Sequence, residues 1–256
     1  MSFDVSAEKY DRLVGRYLPE LGPAFADAAG DTDGMTVLDV GCGPGGLTQE
    51  LVRRVGADAV AAVDPSPPFA AACRERNPGV DVREAAAEDL PFEDASFDAA
   101  LASLVVPFMR DAAAGVREMA RVTRPGGIVA ACAWDTTGGM ATLRTFWDAA
   151  ATHDGDAPDE RGLLGAREGQ LAELFRSAGL EHVEDGSVSA GAEYADFDDW
   201  WEPFTFGVGP VGAYCRSLDP DRREALREEC RRRLGDPRGP FRQEARAWFA
   251  RVARSA

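Results

Sequence analysis

Three glycines and two acids carry the strongest chemical signal in this chain of 256 residues. The run Val37-Leu38-Asp39-Val40-Gly41-Cys42-Gly43-Pro44-Gly45-Gly46 leads a short apolar segment into a glycine turn, and Asp64 closes the next apolar segment. Without a Cβ, glycine lets the backbone turn tightly and approach a ligand closely. Gly41, Gly43 and Gly46 fit the spacing G-x-G-x-x-G, with an acid 23 residues beyond Gly41. That spacing admits a dinucleotide. Two residues point elsewhere. Asp39 sets a carboxylate close to where a pyrophosphate would lie, and like charges repel. Pro44 removes one of the N–H groups that a phosphate cradle uses. The same carboxylate suits a cationic amino group, such as the methionine end of S-adenosylmethionine (SAM), so the loop fits a nucleoside carrying an amino acid. Each acid also has a plainer reading: Asp39 can bond backbone N–H groups of its own turn, and Asp64 can cap the helix that follows Pro65.

These residues need elements to hold them. Short apolar runs alternate with helical patterns from residue 36 to about residue 133. Strands are predicted at 35–40, 59–63, 80–83, 97–102 and 128–133, and helices at 47–55, 69–76 and 112–122. The turn signals Asn77-Pro78-Gly79 and Pro125-Gly126-Gly127 separate them. Such alternation gives βαβ units and a parallel sheet covered on both faces. Ligands then bind beyond the carboxyl ends of the strands, where strand order reverses. Further on, helices are predicted at 142–151 and 170–178, with an acidic, Gly-rich loop at 152–165 between them. The stretches 180–189 and 241–252 supply two final strands, the latter with some helical character, around two helices in 196–234.

Composition narrows the chemistry. A net charge of −16 disfavours nucleic acid and anionic membranes, which both attract clustered positive charge. The Arg231-Arg232-Arg233 run reads as a solvated helix end. The five cysteines are far apart in sequence, so no metal site is expected. Residues 1–5 lack an apolar signal core, and no stretch approaches the roughly 20 apolar residues of a membrane span. A cytoplasmic protein is the expectation.

Beyond the third predicted strand come Leu90-Pro91-Phe92, Ser96-Phe97-Asp98 and Arg121-Val122-Thr123-Arg124-Pro125-Gly126-Gly127. With the Val37–Gly45 loop and Asp64, these five motifs in order resemble the class I SAM-dependent methyltransferases, in the branch typified by quinone-biosynthesis enzymes (methyltransferase type 11-like). The resemblance covers about residues 36–133. It implies a Rossmann-like α/β fold, a seven-stranded, mostly parallel sheet with helices on both faces and a small helical cap. It also implies one domain over 1–256, with lid helices in 1–30, a SAM-binding core at 36–133 and a cap insertion at 196–236. Asp39, Gly41 and Gly43 would surround the methionine part of SAM, with Cys42 beside them. Asp64 would hold the ribose, followed by Pro65, while Ala87 and Glu88 would meet the adenine. Ser103 would lie near the reacting end. Relatives place an Asp two residues before this Glu, where the chain has Ala86.

The lid sequence contains Tyr10, Arg16 and Tyr17, positioned to close over the cofactor or simply to dock on the sheet. Aromatic residues accumulate where a cap would lie. Substrate-binding candidates are Arg16, Tyr17, Trp134, Trp147, Trp200 and Trp201, although such residues can equally build the cap's own core. Tyr10, Tyr17 and Trp134 are the catalytic candidates, and no general base is nominated. His153 and His182, the two histidines, fall away from predicted strand ends. The expected reaction is in-line methyl transfer from SAM to a small apolar or aromatic metabolite by a monomer or homodimer. An NAD(P)-dependent oxidoreductase and a non-catalytic SAM-binding protein are the competing readings.

Overall fold

Alternation of apolar side chains sets two cores on opposite faces of one sheet. In the computed structural model, which describes residues 6–30 and 32–254, Val37, Ala99, Leu101, Ala130 and Cys132 face one core. Their neighbours Leu38, Ala100, Ala102, Val129 and Ala131 face the other, as a period of two requires. Residues 1–5, read above for a leader, lie outside the described residues.

The strands are β1 (Val37–Val40), β2 (Val60–Val63), β3 (Asp81–Arg83), β4 (Phe97–Ser103), β5 (Thr123–Trp134), β6 (Glu184–Tyr194) and β7 (Phe241–Ala253). They form a seven-stranded sheet in the order β3-β2-β1-β4-β5-β7-β6. β1 to β5 are parallel, and β7 runs antiparallel between β5 and β6. Strand order reverses between β1 and β4. The Rossmann-like class read from the sequence is the fold that is found.

Helices α1 (Ala7–Leu13), α2 (Leu18–Ala29) and α3 (Gly46–Val55) precede α4 (Pro67–Arg76) and α5 (Ala112–Val122). They are followed by α6 (Ala141–His153) and α7 (Gln170–Ser177). Between β6 and β7 lie α8 (Phe197–Trp201), α9 (Gly209–Ser217) and α10 (Pro220–Arg233), three helices where two were expected. Asp219 starts α10 as anticipated, its carboxylate accepting from Arg222 N–H at 2.9 Å ahead of Pro220. Leu13, Leu21, Phe25, Leu47, Leu51 and Phe146 fill the first core, while Val116, Met119, Leu171 and Phe175 of α5 and α7 fill the second.

Two boundaries moved for visible reasons. The Pro125-Gly126-Gly127 turn is drawn into β5, because Gly126 N–H donates to the Arg254 carbonyl and Arg254 N–H to that of Gly127, both at 2.7 Å. β6 begins at Glu184 because residues after α7 are spent on ending that helix. Gly179 takes φ +93°, and Leu180 N–H returns to the Phe175 carbonyl at 3.0 Å. β7 has strand pairing throughout, with no helical part, because it bonds a partner on each side.

Candidate active site

The glycine turn is suspended from the end of β2. N–H groups of Gly41 and Cys42 both donate to the Val63 carbonyl, at 2.8 and 2.9 Å, and Gly43 N–H donates to Asp64 Oδ2 at 2.8 Å. Gly41 (φ +71°) needs its glycine twice over, since a Cβ there would lie 2.4 Å from Val105 Cγ2. Gly43 (φ +53°) differs: a Cβ would meet nothing within 4 Å, so open space lies over the turn.

That space belongs to a cavity of about 780 Å³, set beyond the carboxyl ends of β1, β2 and β4. At one end its wall is Gly41, Gly43, Asp64, Pro65, Ala86, Ala87 and Glu88; Ser103 and Leu104 continue it. Tyr10 of α1 also lines it, its ring edge-on to Phe69 at 5.3 Å. The other end is built by later segments: Trp134 at the end of β5, Leu143 of α6, Glu160, and Val208, Gly209, Pro210 and Val211 at the start of α9.

Asp64 uses both oxygens on backbone, holding Gly43 N–H through Oδ2 and Ser66 N–H through Oδ1, each at 2.8 Å. Burial pushes its carboxyl up, while these N–H groups pull it down. Glu88 Oε1 accepts from Arg110 N–H at 2.6 Å and from Asp111 N–H at 3.1 Å, tying the cavity wall to the segment that opens α5. Leu104 is a non-glycine residue at φ +62°, a strained conformation at the cavity wall.

Asp39 and Cys42, counted with the cofactor residues, are not on this wall. Asp39 is fully buried beneath the turn, where Oδ2 accepts from Thr48 Oγ1 at 2.6 Å and Oδ1 has no partner. Burial first, and the Asp64 charge after it, push its carboxyl up to about 7 against the Thr48 bond. The Cys42 side chain packs instead with Ala62, Ala70, Cys73 and Val82.

Of the substrate candidates, Trp134 lines the cavity, while Arg16, Tyr17, Trp147, Trp200 and Trp201 lie off it. Arg16 pairs with Asp199 and lies over the Tyr194 ring at 4.9 Å, which spends its charge within the protein. Tyr17 is fully buried, bonded to Thr142 Oγ1 at 2.7 Å and Tyr194 Oη at 3.2 Å, with its ring edge-on to Trp134 at 5.5 Å. Trp201 stacks on Phe146 and Trp200 on Phe197, while Trp147 meets Phe146 and Trp200 meets Phe204 edge-on. Large rings remove most surface from water by packing on one another, so they form the cap's core. His153 and His182 are also off the cavity wall.

The sequence reading missed Leu143, Glu160 and Val208–Val211. Glu160 stood among four acids in a segment read as loop, with nothing in the spacing to separate it. Its burial depends on tertiary packing: only 5% of the residue is exposed, and Trp147 Nε1–H donates to Oε2 at 2.7 Å. Among the described residues there is no group of three or more His, Cys, Asp or Glu able to hold a metal ion. No helix among them is long and apolar enough to cross a membrane.

A glycine turn held by an acid at the end of β2, opening on a cavity at the reversal of strand order, is matched by comparison with known proteins. Residues 38–131 fit the family model described as a methyltransferase domain. Residues 38–131 are thus similar to a methyltransferase domain. Over 186 residues it is 31% identical to the malonyl-[acyl-carrier protein] O-methyltransferase of Halorhodospira halophila, covering 64% of this chain and 60% of that one. The chain thus spans less than two thirds of that curated relative. Its fold extends further. A solved structure of a proposed type II methyltransferase from Anaeromyxobacter dehalogenans superposes with a TM-score of 0.67 at 22% identity, over 94% of this chain and 97% of that one. Haemonchus contortus phosphoethanolamine N-methyltransferase 2, solved in complex with S-adenosyl-L-methionine, gives 0.54 at 18% identity, over 91% of this chain and 52% of that one.

Proposed function

We propose that this chain transfers a methyl group from SAM to a small apolar or aromatic metabolite. The observation that carries the reading is the two-ended cavity, which joins the glycine turn and Asp64 to a largely apolar chamber. Its size falls in the range of small-molecule sites, roughly 300–1,000 Å³, and such sites are mostly apolar with a few polar anchors.

The residues present fit SAM. Open space over Gly43 lets the ligand approach the backbone. The buried, unpartnered Asp39 Oδ1 leaves negative character under the turn, which a cationic amino group would balance. Asp64, on the wall, would take the ribose hydroxyls, and Ala86, Ala87 and Glu88, on the same wall, would border the adenine. When bound, SAM supplies a methyl group on a positively charged sulfur, a leaving group that needs no activation. The chain's own task is to align the acceptor and exclude water. Tyr10 against Phe69 covers the cofactor end, while Leu143, Val208 and Val211 shape the acceptor end.

Calorimetry with S-adenosylhomocysteine (SAH) and with NAD tests the cofactor. Binding of SAH with no response to NAD is expected, and the reverse pattern would sink the proposal. Transfer of labelled methyl from SAM to members of a small-metabolite panel then tests catalysis. SAH binding with no transfer to any member would favour a SAM-binding protein without catalysis.

A further inference from the structure

One carboxylate on the cavity wall is left without a task once Asp64 and Glu88 are assigned. Glu160 lies at the acceptor end with Trp134, Leu143, Val208 and Val211. Its backbone is fixed to the segment after β5, because Thr136 Oγ1 donates to the Glu160 carbonyl at 2.7 Å. The neighbouring charges are engaged elsewhere. Arg144 reaches Asp159 at 3.2 Å and also pairs with Asp148, so it is bonded to other acids. The hydrogen bond recorded for the Glu160 side chain comes from a neutral indole, the N–H of Trp147. A buried acid serving only structure would ordinarily have a charged partner or several N–H donors.

A second polar group on the same wall is also unspent. Trp134 Nε1 is buried and has no hydrogen-bond partner. A buried indole N–H without an acceptor is costly, and a ligand oxygen would satisfy it. The same wall thus carries a carboxylate and, in the Trp134 ring, a buried donor still without an acceptor.

We propose that Glu160 takes the proton from a weakly acidic hydroxyl, phenolic or enolic, on an aromatic-sized apolar ligand. The assignment rests on the methyl-transfer reading and names its acceptor class. The ligand O–H bond breaks, its electron pair stays on oxygen, and the proton passes to a Glu160 carboxylate oxygen. The ligand oxygen, not Glu160, forms the new O–CH₃ bond with that electron pair, and the electron pair of the broken S–CH₃ bond stays on sulfur, leaving a neutral thioether. The proton then leaves Glu160 for water. Burial pushes the Glu160 carboxyl up to about 7, with Asp159 adding to the rise and Trp147 and Arg144 opposing it. A base is most effective when its pKa lies near the working pH, so this environment suits proton transfer at neutrality.

The test uses para-nitrophenol, whose phenolate is yellow, added to SAH-saturated protein at about pH 8. In the wild type two anions do not share the apolar site, so binding takes up one proton, held between Glu160 and the probe oxygen, and the phenolate band is displaced or lost. In Glu160→Gln, Trp147 engages the amide oxygen and the NH₂ faces the ligand, so the probe binds as phenolate and keeps its band. Glu160→Asp, which keeps the acid, should restore the loss and serves as the second variant should the Gln protein not fold. SAH affinity of each variant, measured first, should match the wild type because Glu160 lies away from the cofactor end. Identical spectra for wild type and Gln variant, or no probe binding by a wild type that binds SAH, would overturn the assignment. A wild type that fails to bind SAH would instead sink the cofactor reading beneath it.

Discussion

Replacing Asp39 by Asn should stabilise the ligand-free protein, and the gain should grow with pH. Asp39 is fully buried, and one of its oxygens has no partner. Its carboxyl is pushed from an ordinary 3.8 to about 7 by burial, with the Asp64 charge adding to the rise. The folded state therefore holds the proton more tightly than the unfolded chain. Stability from this group is fully present below the unfolded value of 3.8 and is lost as pH rises to about 7. At 1.36 kcal/mol for each pKa unit, the loss amounts to about 4 kcal/mol. Asn cannot ionise and keeps a polar partner for Thr48, so Asp39→Asn escapes that loss. Urea unfolding of both proteins at about pH 4 and about pH 8 measures the difference. Near pH 4 the two should agree within about 1 kcal/mol, the scale of one exchanged hydrogen bond. Near pH 8 the variant should lead by up to about 4 kcal/mol. Glu160 is raised over a similar range, but it is present in both proteins and cancels in the comparison. Saturating SAM should narrow the gap at high pH, because only the wild type has a charge beneath the turn for the cation to offset. A difference independent of pH would refute the account of Asp39.

Three further changes separate the parts of the site. Asp64→Ala should weaken SAH by about 1–3 kcal/mol, measured by calorimetry, because it removes a charged hydrogen-bond partner and frees Gly43 and Ser66. Gly41→Ala should lower stability by about 1–3 kcal/mol in urea unfolding, since its positive φ is retained and the Cβ strikes Val105. Tyr17→Phe should cost about 1–2 kcal/mol of stability through the lost bonds to Thr142 and Tyr194, while SAH affinity stays at the wild-type value.

The core of the fold was legible because its signals are local. Apolar runs, glycine turns and the Asp219-Pro220 start all act within a few residues, and the strands β1 to β5 appear where those signals place them. Boundaries shifted where a distant segment intervened, as when Arg254 drew Pro125–Gly127 into β5. The glycine-turn part of the cavity wall was readable for the same reason: Gly41, Gly43 and Asp64 lie at strand ends, and strand ends are visible in sequence. Among the later segments, residue type did not predict which rings line the cavity. Trp147, Trp200 and Trp201 were expected to face a ligand, but aromatic content cannot say whether rings meet a substrate or one another. Glu160 was invisible because its neighbours come from α6 and the end of β5.

β7 is the last strand in sequence, yet it sits between β5 and β6 and hydrogen-bonds both. During synthesis, the five parallel strands can therefore assemble while β5 still presents an open edge. An open edge is a template for pairing with other chains. β6 cannot protect it, having no place in the sheet until β7 arrives. The ribosome must synthesise the chain through β7, to Ala253, before that edge closes, so the nascent protein has a long aggregation-prone interval. Premature termination before residue 241 would leave the glycine turn and its neighbouring strands encoded in full but the sheet unsealed.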